Sequence, residues 1–157
     1  MDGITSTRGW AALDRLTPGA REQLGALAGG TTYRAGESVF GEGTGTPFLG
    51  AVDSGRIALR YRVPELGERL TIVTIEPGEL IGWSAVVAPF RATVDAVATE
   101  DTRLLTFEAE ALRELLASDC ALAAELLPIV LETVSRRLTT SWHQLLDLFG
   151  SRGNDPW

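Results

Sequence analysis

Pro77-Gly78-Glu79-Leu80-Ile81-Gly82-Trp83-Ser84-Ala85-Val86-Val87, followed after two residues by Phe90-Arg91-Ala92-Thr93-Val94, is the stretch that decides how the rest of the chain is read. It contains a Pro-Gly turn, a second glycine opening a short helix of small residues, and an arginine leading into a strand. Such a layout holds an anion, because backbone N–H groups at a helix N-terminus and a guanidinium converge on the same volume. Gly82, Trp83, Ser84, Ala85, Arg91 and Thr93 are therefore the candidate ligand contacts from this segment. Arg91 has two open readings: it faces the pocket, with a one-residue bulge to accommodate it, or it is an exposed arginine following Pro89.

Outward from this stretch, short apolar runs alternate with turn residues. The runs are Val39-Phe40, Phe48 to Val52, Ile57 to Tyr61, Leu70 to Ile75, Thr93 to Ala98 and Leu104 to Phe107. Ala35-Gly36-Glu37, Asp53-Ser54-Gly55, Glu65-Leu66-Gly67-Glu68 and Glu76-Pro77-Gly78 punctuate them. Many short strands separated by Gly/Pro turns predict a β-roll over residues 31–107, a double-stranded β-helix or jelly roll.

Helices flank the roll. Trp10, Leu13, Leu16, Leu24 and Leu27 recur at helical intervals around Thr17-Pro18, which predicts a helix over 9–28 with proline at its first position and Gly29-Gly30 as its stop. Glu108 to Ala117 reads as a short amphipathic helix, and Ser118-Asp119 caps a longer one running to about Phe149. Along that helix Leu127, Leu131, Val134, Leu138, Ser141, Leu145 and Leu148 alternate at spacings of four and three, the a/d pattern of a coiled-coil seam. Pro128 is expected to bend the helix or to leave one bond unmade near its start. Two partners suit the seam, a second copy of the chain or the chain's own roll; Leu127, Leu131, Val134, Leu138, Leu145 and Leu148 are the candidate dimer contacts.

Composition narrows the function classes. The 157 residues suit one domain, 1–157, with residues 150–157 as a tail. Asp plus Glu number 21 against 14 Lys plus Arg, and the net charge of −7 repels nucleic acid. The N-terminal residues lack a basic start ahead of an apolar run, and no stretch is long enough to span a bilayer. A single cysteine, Cys120, precludes an internal disulfide and points to a reducing, cytoplasmic setting. The one histidine, His143, falls on the long helix, so no multi-histidine metal site is expected. No Gly-x-Ser-x-Gly, phosphate-binding Walker loop or carboxylate pair indicates catalysis.

The order helix, strands, short helix, long heptad helix, with Pro77-Gly78-Glu79-Leu80-Ile81-Gly82 ahead of the anion-type segment, resembles the cyclic-nucleotide-binding domain of the catabolite-activator and kinase-regulatory-subunit superfamily. Arg34-Ala35-Gly36-Glu37-Ser38-Val39-Phe40-Gly41-Glu42-Gly43, Ser54-Gly55-Arg56-Ile57 and Glu100-Asp101-Thr102-Arg103-Leu104-Leu105 carry further local agreement, so the resemblance spans roughly Leu13 to Phe149. It implies a phosphate cassette in which a glutamate takes the ribose hydroxyl and an arginine the cyclic phosphate. Gly82, Ala85 and Val86 match that cassette, but Trp83 occupies the glutamate position, and an indole N–H cannot accept a hydrogen bond. The resemblance also implies that the turn after Arg136-Arg137-Leu138 touches the base, which brings in Thr140 and Ser141; a serine on a seam is equally a device for pairing helices.

On these grounds the chain is expected to be a non-enzymatic regulatory domain that binds cyclic AMP, a related nucleotide or another small anion and signals through a helix-mediated homodimer to a regulated protein. The alternative is a degenerate member of the fold that serves as an interaction module. The chain is too short after Phe149 for the helix-turn-helix of the DNA-reading activators, and direct nucleic acid contact is not expected.

Overall fold

The computed structural model describes residues 8–150. The expected tail therefore lies outside the described residues, apart from Gly150.

Among the described residues, two four-stranded antiparallel sheets and three α-helices make up the fold. The strands are β1 (Ala28–Tyr33), β2 (Ser38–Phe40), β3 (Phe48–Ser54), β4 (Ile57–Val63), β5 (Glu68–Ile75), β6 (Leu80–Ile81), β7 (Asp95–Ala98) and β8 (Thr102–Glu108). One sheet has the order β1-β8-β3-β6 and the other β2-β7-β4-β5. Sequence neighbours thus land in opposite sheets at several points, as a roll requires. The helices are α1 (Pro18–Leu27), α2 (Ala109–Ser118) and α3 (Cys120–Gly150).

The central strands of the first sheet, β8 and β3, are covered on both faces and read accordingly. Along β8, Leu104 packs with Val52, Ile57, Leu59 and Ile75 between the two sheets. Its neighbours Leu105 and Phe107 instead join Trp10, Leu24, Leu112, Leu122 and Leu126 under the helices. Successive side chains point to opposite faces of a strand, so a strand covered on both sides must be apolar at nearly every position. β3 is buried from Phe48 to Val52 without a break for the same reason. Trp10 and Phe107 meet edge to face with ring centroids 5.7 Å apart, locking the N-terminal segment onto this layer.

The Thr17-Pro18 signal starts α1 as read: Thr17 Oγ1 accepts from Ala20 N–H, and proline sits at the first turn. Two expectations about this region are corrected. Residues 9–28 are not one helix, but a 3₁₀ turn at Gly9–Leu13 followed by α1. Gly29-Gly30 does not stop the helix either: α1 ends at Leu27 and both glycines lie inside β1, opposite Thr106 and Leu105 of β8. A Cβ on Gly29 would meet Thr106 Oγ1 at 3.2 Å, so the missing side chain serves close strand approach rather than a turn. The roll accordingly begins at Ala28, three residues earlier than expected.

α3 continues through Pro128 as a single 31-residue helix. Asp119 caps it, its Oδ1 accepting from Leu122 N–H at 3.0 Å, and this bond is the chief reason the Asp119 carboxyl is held below the usual aspartate range. Its first half is anchored on the N-terminal helices: Glu125 accepts from Thr17 N–H and Oγ1–H, Gln23 Nε2 donates to Asp119, and Arg15 pairs with Glu132. Leu122, Leu126, Ile129, Val130 and Thr133 are buried along one face. Beyond Thr133 the helix passes off this core and over the open end of the roll.

Candidate functional site

The segment after β6 is shaped by Gly82. Its φ of 78° lies in the left-handed region, and a Cβ there would meet the Phe48 carbonyl oxygen at 2.3 Å. Only glycine lets the chain turn this sharply against β3. The expected helix of small residues is shorter than the sequence implies, a single 3₁₀ turn at Trp83–Ala85 closed by Ala85 N–H to the Gly82 carbonyl at 2.9 Å. Isolated backbone N–H groups of so short a turn make no anion site of their own.

The continuation is zipped to the loop between β2 and β3. Thr46 N–H donates to Phe90 O at 3.1 Å, Gly43 N–H to Ala92 O at 2.8 Å, and Ala92 N–H to Thr44 O at 2.9 Å. This pairing decides the direction of Arg91. The side chain is exposed, its Nη1 donates to the Gly43 carbonyl at 2.8 Å, and it lines neither of the cavities described below. From α2, Arg113 donates to the Ala85 carbonyl at 2.9 Å and lies 4.5 Å over the Phe90 ring. It clamps the segment from outside, a contact sequence reasoning did not anticipate.

Two adjoining cavities open where α3 crosses the roll. The larger, about 250 Å³, is walled by Leu59, Ile72, Val73 and Val94 of the roll, by Trp83 and Thr93, and by Val134, Arg137, Leu138, Thr140, Ser141 and Gln144 of α3. The smaller, about 20 Å³, shares Leu59, Trp83, Thr93, Val94 and Arg137 with it and adds Thr46, Gly82 and Ser84 among others. Gly82, Trp83, Ser84, Thr93, Thr140 and Ser141 thus border connected space. Ala85 does not: it is fully buried in the helix-side core.

Arg137 is the cation of this site, and sequence reading used it only as a landmark. Its guanidinium donates to the Leu80 carbonyl. Among the described residues no carboxylate forms an ion pair with it. Burial draws its pKa down from the ordinary arginine value to about 10, opposed by the charge of Glu79 and reinforced by that of Arg136. The group stays protonated at neutral pH, so enclosing it costs about 3 kcal/mol at 1.36 kcal/mol per pKa unit. Because the folded-state value is depressed for a base, this cost is fully present below about pH 10 and fades as pH rises beyond it. A second unsatisfied group faces the same place: Thr46 is 4% exposed, and its Oγ1 has no hydrogen-bond partner. A buried hydroxyl without a partner and a partly buried guanidinium without a carboxylate paired to it among the described residues mark a site prepared for something else. The signal for Arg137 was present in the spacing, since Arg137 and Gln144 fall three residues after the seam members Val134 and Ser141 and so flank that side of the seam.

The seam itself divides. Val134, Leu138 and Ser141 border the large cavity. Leu127, Leu131, Leu145 and Leu148 do not, and are between 41% and 67% exposed. Trp142, Leu146 and Phe149 extend the same exposed apolar face. Gln144 Nε2 donates to the Ile72 carbonyl at 3.0 Å, tying the outer half of α3 to β5. Among the described residues no group of side chains is arranged to hold a metal ion, and no helix is long and apolar enough to cross a membrane.

Comparison with known proteins agrees with this architecture. The family model for the cyclic nucleotide-binding domain matches residues 31–119, over half of the chain. No curated protein matches. Among solved structures, a cyclic nucleotide-binding domain from Methylobacillus flagellatus KT superposes with a TM-score of 0.75 at 20% identity, covering 84% of this chain and 74% of that one. The N-terminal domain of a transcriptional regulator from Streptomyces coelicolor A3(2) gives 0.65 at 24% identity, covering 89% and 94%. The c-di-GMP-responsive global regulator of Xanthomonas campestris gives 0.71 at 20% identity, covering 84% and 64%. The overall fold is thus shared with these structures, and with the family model covering more than half of its length the chain belongs to the cyclic nucleotide-binding domain family.

Proposed function

We propose that this chain is a regulatory ligand-sensing domain whose small-molecule site is the cavity between the roll and α3, and that it signals through a homodimer formed on the exposed face of that helix. One observation carries the reading: the same stretch of α3 that presents Leu131 and Leu145 outward lines the cavity inward with Val134, Arg137, Ser141 and Gln144. A ligand held there touches sensor and output element at once. Because it favours one helix placement over another, its binding energy shifts what the dimer presents.

The anion-binding role moves from Arg91 to Arg137 in this reading. Cyclic AMP, cyclic GMP and cyclic di-GMP are the first ligands to try, the last because the Xanthomonas campestris regulator responds to it. Calorimetric titration with each is expected to give saturable binding for any true ligand, lost in Arg137→Met and unchanged in Arg91→Ala. Binding that depends on Arg91 and not on Arg137 would contradict this assignment of the site. A second reading, an interaction module without a nucleotide site, is favoured by Trp83. Its ring stands in the cavity wall where the family's ribose-binding glutamate would stand, and no acidic side chain lines either cavity. That reading expects all three nucleotides to be silent.

A further inference from the structure

We propose that the cavity takes a hydrophobic monocarboxylic acid, its carboxylate between Arg137 and Thr46 and its apolar body in the larger chamber. The inference rests on the sensing role proposed above and supplies the ligand's chemical class.

The larger chamber is mainly apolar, with Leu59, Ile72, Val94, Val134, Leu138 and the Trp83 indole as its main surfaces and Thr93, Thr140, Ser141 and Gln144 as polar members beside Arg137. Such a lining favours an apolar body, and a few polar groups set its orientation. A second phosphate would bring charge that this surface, with Arg137 as the cation lining it, does not match. No Asp or Glu lines either chamber, so sugar hydroxyls meet no anionic acceptor.

The head end is specified by size and by unsatisfied groups. The smaller chamber, about 20 Å³, has room for one water-sized group. A carboxylate placed at the junction of the two chambers puts one oxygen in that space and turns the other toward Arg137. Thr46 Oγ1 is buried and unpartnered there, ready to donate to an oxygen. Arg137 lines both chambers and uses one donor on the Leu80 carbonyl, leaving others of its five N–H groups for an anion. One guanidinium without a carboxylate partner matches one negative charge on the ligand.

The test is calorimetric titration and thermal shift of the full chain with 2-naphthoate, with neutral 2-naphthamide of the same shape, and with cyclic AMP. 2-Naphthoate is expected to saturate at one per chain and to bind at least about tenfold more tightly than the amide, the size of one charge-assisted hydrogen bond. Arg137→Met should bring the acid down to the level of the amide. It should also melt about 3–6 °C higher than wild type without ligand, because it removes an enclosed, unpaired charge; this checks that the variant is folded. Thr46→Val, which keeps the shape, should weaken the acid about three- to tenfold and the amide by less, because a neutral carbonyl accepts a weaker hydrogen bond from the hydroxyl than a carboxylate does. Equal affinity for acid and amide, or an acid preference that survives Arg137→Met, overturns the carboxylate assignment and leaves a cavity ligand in place. Arg137-dependent binding of cyclic AMP with no response to 2-naphthoate overturns the ligand class while supporting the sensing role. Absence of heat and of thermal shift with 2-naphthoate overturns the proposal, and the nucleotide titrations decide the sensing role separately.

Discussion

Gly82→Ala is expected to destabilise the fold by about 3 kcal/mol or more and to lower the melting temperature by roughly 6–12 °C. Two contributions add. At a φ of 78° an alanine carries left-handed strain of about 1–2 kcal/mol. Its Cβ would also lie 2.3 Å from the Phe48 carbonyl oxygen, a backbone atom of β3 that cannot swing aside as a flexible side chain can. β3 sits at the centre of the first sheet, paired to both β8 and β6, so relief requires moving a core strand or unwinding the 3₁₀ turn that carries Trp83. Either response also disturbs the cavity wall. Denaturant unfolding of wild type and variant measures the first effect; a loss below about 1 kcal/mol would show that the turn adapts freely and that its conformation is not fixed by β3.

The second large effect concerns assembly. Leu131→Glu combined with Leu145→Glu is expected to convert a dimer, with twice the 16.8 kDa mass of the chain, into a monomer by light scattering. Both leucines are exposed, at 67% and 51%, and neither borders a cavity, so the folded roll should survive. The apolar face running from Leu131 through Trp142 to Phe149 is too continuous to be ordinary surface. Burying a leucine contributes about 1.5–3 kcal/mol, and a symmetric interface loses four of them in the double variant. The dissociation constant should rise by at least roughly 10⁴-fold before any charge repulsion is added. An unchanged mass would sink the dimer through this face, and a monomeric wild type would do so without any substitution.

What the sequence made legible was whatever local chemistry decides. Thr17-Pro18 started α1, Asp119 capped α3, and the short apolar runs at Phe48 to Val52 and Leu104 to Phe107 announced β3 and β8. The seam was legible as a periodicity, but a periodicity cannot say which of its members face outward. Val134 and Ser141 turned to the cavity because the helix leaves the core at Thr133 and crosses a curved roll.

Contacts distant in sequence were the illegible part. Arg91 points away because the Gly43 carbonyl, 48 residues earlier, offers it a partner. Gly29-Gly30 looked like a helix stop, as glycine pairs after an apolar run do, and became a strand because β8 needed a close neighbour. Thr46 and Arg137 acquire meaning only when the loop between β2 and β3, the turn at Gly82 and α3 enclose the same small volume. Thr46 belongs to no motif and Arg137 served only to place the turn after it, so their unsatisfied polar groups emerge with burial.

The central claim is that a ligand in the cavity acts on α3, and amide hydrogen exchange of that helix tests it most directly. With 2-naphthoate, or with whichever cyclic nucleotide binds, residues 134–144 should exchange at least about tenfold more slowly at saturation, in step with the cavity-facing strands β4 and β5, while α1 is unaffected. Saturable binding with no change in exchange along 134–144 would contradict the account.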